Sequence, residues 1–199
     1  MTSVPEVVRI AENVVAWQGY NPDVRCDCGS CACRVAEGWI VFDPIPLAET
    51  SWAEMLAEAP LFAVALTSGN HQRESLALRA THGVAIHAPT GARGEVEADV
   101  WMSPGSELGG FNLIDLPGGA TGESAWCDGR TLVIGDALIH LNGLEWLPDK
   151  YCADASLLKK SAAALASLEF ERACFAHGRP LAGEEARAVW ENFLRISYP

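Results

Sequence analysis

Five consecutive residues, Phe62-Ala63-Val64-Ala65-Leu66, form an unbroken apolar run of strand length. With no polar position to turn towards water, such a strand is buried on both faces, so the chain must cover both sides of the sheet that contains it. A polar segment follows at once, Thr67-Ser68-Gly69-Asn70-His71-Gln72-Arg73. Helical spacing then takes over, with a helix expected over roughly 71–82 and Leu76 and Ala80 facing inward.

The rest of the sequence supplies the cover. Residues 7–10 and 14–17 read as opening strands, and 32–36, Glu37-Gly38 and 39–42 as a hairpin. Asp43-Pro44 ends it, because a residue before proline avoids helical geometry. Thr50 or Ser51 caps a helix, with Glu54 completing a capping box on Ser51. Trp52, Met55, Leu56 and Ala59 form its apolar stripe. Another short strand is expected over 84–87. In the second half, 113–116, 124–127 and 131–134 read as strands, with Asp128-Gly129 turning the last two. A loop over 142–149 is anchored by Leu144, Trp146 and Leu147, and is followed by a helix over about 155–168 and a strand over 173–176. A final helix begins near Gly183, with Ala186, Val189, Trp190, Phe193 and Leu194 on one face. This order predicts two facing mixed sheets with helices outside, in one α+β domain, 1–199, of two pseudo-halves, about 1–110 and 111–199.

Composition narrows the function. The net charge of −12 argues against sequence-independent nucleic-acid binding, which needs Lys and Arg to neutralise phosphates, and against an anionic membrane surface. No window is long and apolar enough to span a bilayer, and the first residues lack a basic region followed by an apolar run. Seven cysteines without an export signal read as reduced thiols in a cytoplasmic protein.

Two segments carry the strongest signal. One is the run Leu66-Thr67-Ser68-Gly69-Asn70-His71-Gln72-Arg73 after the apolar strand. The other is Leu116-Pro117-Gly118-Gly119-Ala120-Thr121-Gly122-Glu123, followed by Leu132-Val133-Ile134-Gly135-Asp136-Ala137 and, near the end, His177-Gly178. Their order and flanking hydrophobic runs resemble the metallo-β-lactamase superfamily, which carries His-x-His-x-Asp-His, Pro-Gly-His-Thr-Pro-Gly, a Gly-Asp and a last His-Gly. The resemblance spans almost the whole chain and implies the αββα sandwich of that family.

It also implies where a two-zinc centre would lie. Ser68, Asn70 and Gly119 stand where the family places three histidines on the first metal. Gln72 and Arg73 stand where it places Asp and His on the second. Asp136, at the bridging position, and His177, at the last ligand position, are retained. Glycine offers no side chain, and arginine cannot bind a cation. A dinuclear zinc centre is therefore not expected, and Arg73 is expected to point at Asp136 as an internal cation. His71 lies one position off the ligand spacing, so it either bonds backbone at the helix start or reaches inward. Asp136 and His177 can also act as a metal-free acid–base pair, with Ser68 the nearest candidate nucleophile. They read more readily as family remnants in a polar pocket. His82 and His87 read as surface or half-buried residues, and His140 as a residue of the pocket rim.

The second unusual feature is Cys26-Asp27-Cys28-Gly29-Ser30-Cys31-Ala32-Cys33. A turn at Gly29-Ser30 would bring the four sulfurs together, as a structural zinc site, an iron–sulfur site or an oxidisable pair. Alternatively, Cys31 and Cys33 are small buried hydrophobes on one face of a strand. Cys127, Cys152 and Cys174 suggest nothing specific.

Three function classes follow. The chain is a divergent hydrolase acting with one metal or none, a non-catalytic protein that binds a small molecule in the old pocket, or a metal- or redox-sensing protein built on Cys26–Cys33. The replaced ligands favour the second over the first. No cofactor is the leading expectation, with zinc or iron as the alternatives, and a homodimer is compatible with the sequence.

Overall fold

The computed structural model describes residues 5 and 7–197. Residues 1–4 and 6, on which much of the reading of no secretory signal rests, lie outside them. The first sheet runs in order β1 (Val8–Ala11), β2 (Val14–Asn21), β3 (Cys26–Arg34), β4 (Trp39–Phe42), β5 (Leu61–Ala65), β6 (Ala85–Pro89) and β7 (Val100–Met102). Between its strands lie α1 (Glu49–Glu58) and α2 (Ser75–His82). The second sheet contains β8 (Glu107–Leu108), β9 (Phe111–Asp115), β10 (Ser124–Cys127) and β11 (Thr131–Ile134), with β14 (Arg172–Phe175) and β15 (Leu181–Ala182) beyond β11. A separate ribbon, β12 (Leu138–His140) and β13 (Leu144–Trp146), precedes α3 (Ala155–Ala162), and α4 (Glu184–Ser197) follows β15.

Three apolar clusters define the layers. Phe42, Ile40, Cys31 and Ala65 of the first sheet meet Phe111, Trp126 and Val133 of the second in the central one. Phe42 stacks obliquely on Phe111 at 5.1 Å and on Trp126 at 6.2 Å; burying each such ring stabilises by about 1.5–3 kcal/mol. The outer face of the first sheet packs on Met55 of α1 and Leu78 of α2. That of the second packs on Leu158 of α3 and Trp190 and Phe193 of α4. The chain is thus the expected αββα sandwich. β5, the all-apolar strand, is central and pairs in parallel with both β4 and β6.

Several local expectations change. β3 begins at Cys26 and runs unbroken to Arg34, with Gly29 and Ser30 paired to Gln18 and Trp17 of β2. They are mid-strand residues, not a turn. α1 starts at Glu49 behind Ala48, with no side-chain cap. α2 starts at Ser75 rather than His71, because Arg73 adopts a left-handed φ of 37° that no helix tolerates. Its buried residues are Ser75 and Leu78, whereas Ala80 is exposed. The loop over 142–149 contains a strand, β13.

Candidate functional site

The ends of β4, β5, β11 and β14 deliver one polar cluster, and each comes with a loop that needs its own support. Asp43, just past β4, sits at φ 47° and is 2 % exposed. Its Oδ1 accepts the Thr67 amide at 2.9 Å, and its Oδ2 accepts the Thr67 hydroxyl, so it fixes the loop that leaves β5. Two bonds tie that loop to the second sheet. Trp126 Nε1 donates to Leu66 O at 3.1 Å, and Ser124 Oγ donates to Thr67 O at 2.7 Å. Asp136 follows β11 after Gly135, where a Cβ would lie 2.5 Å from Glu123 Oε1 and 2.8 Å from Thr67 Oγ1. Only glycine lets these loops meet.

Within the cluster His71 turns inward. Its Nδ1 lies 3.0 Å from Asp43 Oδ2 and 2.8 Å from Thr67 Oγ1, and its Nε2 lies 3.1 Å from Asp136 Oδ1. His177 Nε2 lies 3.1 Å from the same Asp136 oxygen, and Asn70 Nδ2 donates to Asp136 Oδ2 at 3.1 Å. Asp136 therefore receives three side-chain donors at once. Ser68 is fully buried, and its hydroxyl accepts the Asn70 amide at 3.3 Å. Gly119 borders the cluster through Glu123, whose Cγ would be 2.7 Å from a Cβ at that position.

Burial pushes the His71 pKa down, but the Asp43 and Asp136 carboxylates outweigh it and bring it up to about 9. Burial likewise lowers His177, and its bond to Asp136, with the Cys28 thiol beside it, raises it to about 10. Burial would raise Asp136, but the two imidazoliums hold it well below the usual carboxylate range. Burial, with the Asp136 charge beside it, keeps Glu123 well above that range. Its Oε1 accepts the Ala137 amide at 2.9 Å, and its Oε2 has no hydrogen-bond partner among the described residues.

Other expected site residues lie elsewhere. Arg73 does not pair with Asp136. Its Nη1 donates to Gly29 O at 2.9 Å and Asp43 O at 3.0 Å, and its Nη2 to Ala176 O at 3.2 Å. The left-handed turn at Arg73 carries the guanidinium to these carbonyls, and buried carbonyls need donors. Gln72 faces away from the cluster, bridging Ser75 and the backbone of Glu97. His140 Nδ1 donates to Arg179 O at 2.8 Å, and the ring packs on Phe175. His82 is exposed and His87 half-buried.

The four cysteines of β3 do not converge. Strand alternation puts Cys31 and Cys33 in the core between the sheets, while Cys28 packs with the opposite face. One ion cannot gather sulfurs from both faces of a strand. Cys31 and Cys33 instead meet Cys174 of β14, and burial keeps both thiols protonated, with pKa values raised. Cys28 has a different partner. It stands opposite His177 in an antiparallel bridge flanked by Gly29 N to Ala176 O, 2.8 Å, and Gly178 N to Asp27 O, 3.2 Å. Burial raises the thiol's pKa, but the neighbouring His177 side chain and the Arg73 charge outweigh burial and lower it. Cys28 and Arg73 also line a cavity of about 870 Å³, walled by Tyr20 and Asn21 on one strand end and by Ile45, Pro46 and Leu47.

Sequence reasoning missed Asp43, Glu123 and the link from Cys28 to His177. Asp43 was legible as an acidic residue closing an apolar strand; nothing local marks the other two.

With this geometry in hand, comparison with known proteins is decisive for the family. The chain belongs to the metallo-beta-lactamase superfamily, whose model matches residues 9–174. Among solved structures it superposes on DIM-1 metallo-beta-lactamase with a TM-score of 0.75, at 14% identity over 99% of this chain and 98% of that one. A metallo-beta-lactamase from Erythrobacter litoralis gives 0.69, at 16% identity over 99% and 93%. TTHA1623, crystallised in a di-iron-bound form, gives 0.66, at 21% identity over 94% and 97%. At such identities the likeness shows the fold alone. No curated protein matches. No helix among the described residues is long and apolar enough to cross a membrane.

Proposed function

We propose that this chain is a superfamily member that works without the two-metal centre and binds a small molecule in its cavity, above a network of internal charges. The observation that carries this reading is His71, whose two nitrogens face Asp43 and Asp136 at 3.0 and 3.1 Å. An imidazolium there balances the carboxylate that a metal would balance. The residues at the first metal's positions do not fit an ion. Gly119 has no side chain, the Ser68 hydroxyl accepts from backbone, and the Asn70 amide nitrogen is held by Asp136. Arg73 adds a fixed positive charge beside the second position. The cavity, about 870 Å³, falls in the range of small-molecule sites. All seven cysteines are free thiols, in keeping with a cytoplasmic protein.

A second reading, a divergent hydrolase with one ion, is favoured by a separate observation. His71, Asp136 and His177 offer ligand atoms within 4.8 Å of one another, and Asp43 backs His71 as a carboxylate backs a ligating histidine. One zinc or iron held there would supply a bound water of lowered pKa.

Elemental analysis separates the readings. Protein grown with added zinc and iron, then gel-filtered, is expected to carry neither metal stoichiometrically. One ion per chain, lost on changing His71 to Ala, would favour the second reading, and two ions per chain would overturn both.

A further inference from the structure

We propose that the ligand of the cavity is a small monocarboxylate with an apolar body, its carboxylate held by the Arg73 guanidinium. This rests on the reading of that cavity as a small-molecule site.

The anchor is a cation with no carboxylate in contact. Arg73 lines the cavity and is half-buried. Three of its N–H donors go to the carbonyls of Gly29, Asp43 and Ala176. Carbonyls satisfy donors but bring no net charge. The buried carboxylates of Asp43 and Asp136 face His71 and His177 instead, and among the described residues none forms an ion pair with Arg73. A guanidinium has five donors, so one on Nη2 and the one on Nε are left. Nε is without a partner yet is not among the buried unpaired atoms, so solvent reaches it. Two donors are what a carboxylate takes in a bidentate pair. The three carbonyl bonds and the left-handed turn at Arg73 hold the guanidinium in place before a ligand arrives. Little side-chain entropy is then lost on binding.

The remaining wall sets the body and the charge of the ligand. Pro22, just beyond β2, and Ile45, Pro46, Leu47 and Ala48, between β4 and α1, are apolar. Each methylene buried against such a surface tightens binding by about fourfold. Glu74 lines the same cavity with the opposite sign to Arg73. A dianion such as a phosphate monoester meets its repulsion on both charges, a monocarboxylate on one. The net charge of −12 acts in the same direction.

The test titrates sodium octanoate into the full-length, chelator-treated protein by isothermal calorimetry, with octanol, octylamine and acetate as comparisons. One octanoate should bind per chain, and the methyl NMR signals of Ile45 and Leu47 should shift. Octanol and octylamine should bind about tenfold more weakly, because they leave the guanidinium unpaired. Acetate should bind about 100-fold more weakly, because it lacks the apolar body. Arg73→Gln should weaken octanoate by about tenfold and leave octanol unchanged. Should that variant fail to fold, Glu74→Gln still decides, because removing the like charge should tighten octanoate by about threefold. Octanol bound as tightly as octanoate, with Glu74→Gln without effect, would overturn the carboxylate class and leave the small-molecule reading standing. Octanoate that shifts neither Ile45 nor Leu47, or does not bind at all, would overturn this proposal alone, since elemental analysis tests the metal-free reading separately. Octanoate that binds only after zinc is restored would put the carboxylate on a metal and overturn both.

Discussion

His71 Nε2 and Asp136 Oδ1 lie 3.1 Å apart, and that contact joins residues 65 positions apart in sequence. It makes stability depend on pH in a definite direction. The His71 pKa is raised to about 9 in the folded chain, above its unfolded value of about 6.5. The stabilisation is fully present below about 6.5 and is lost as pH rises through about 9. His177, raised to about 10, extends the loss upward. The urea midpoint should therefore fall between about pH 7 and 10. His71→Phe should flatten that fall and lower stability at pH 7 by about 3–5 kcal/mol, the effect of stranding buried carboxylates.

Arg73 binds three carbonyls, on Gly29 within β3 and on Asp43 and Ala176 just past the ends of β4 and β14. A lysine ammonium is a point charge without the planar fork. Arg73→Lys should lower stability by about 2 kcal/mol, roughly one charged hydrogen bond, measured as a shift in the thermal midpoint. An unchanged midpoint would show that the three bonds are replaceable.

Restoring a family ligand should fail at Gly119. A Cβ there would come within 2.7 Å of Glu123 Cγ, so Gly119→His should destabilise by about 1–3 kcal/mol through overpacking. Adding Glu123→Ala should recover part of that loss, because it removes both the clash and a buried carboxyl oxygen that has no hydrogen-bond partner among the described residues. A double-mutant cycle on urea unfolding reads the coupling, and strict additivity would show that the two positions do not meet.

The thiols should divide by depth. Cys26 and Cys152 are partly exposed, whereas Cys28, Cys31, Cys33, Cys127 and Cys174 are buried. A chromogenic disulfide reagent should titrate Cys26 and Cys152 in the native chain and all seven after unfolding. Fast native reaction at Cys31 or Cys33 would contradict the closed core between the sheets.

The layers of the fold were legible because they follow from hydrophobic period. Phe62–Leu66 announced a doubly buried strand, and the stripe of Ala186, Trp190 and Phe193 announced the last helix. Glycines and prolines located the loops that end these strands. What failed was local geometry that other parts of the chain decide. Gly29-Ser30 reads as a turn in isolation, but β2 offers a continuous ladder and keeps it extended. The aim of Arg73 could not be read either, since it depends on a left-handed backbone angle and on the carbonyls of distant strands. For the same reason the resemblance located Asp136 and His177, while the partners Asp43, Glu123 and Cys28 came only from the packing of the two sheets.

The bond from Arg73 to Ala176 spans 103 residues, and this bears on how the chain folds. Closing so large a loop carries an entropic cost that local elements do not share, so contacts of this range slow folding. The strands of each sheet can pair while the charges of Arg73, Asp136 and His177 are still solvated. Dehydrating them together is then a separate, late event in refolding. A probe on Cys28 should report that event after the tryptophans have reached their native fluorescence.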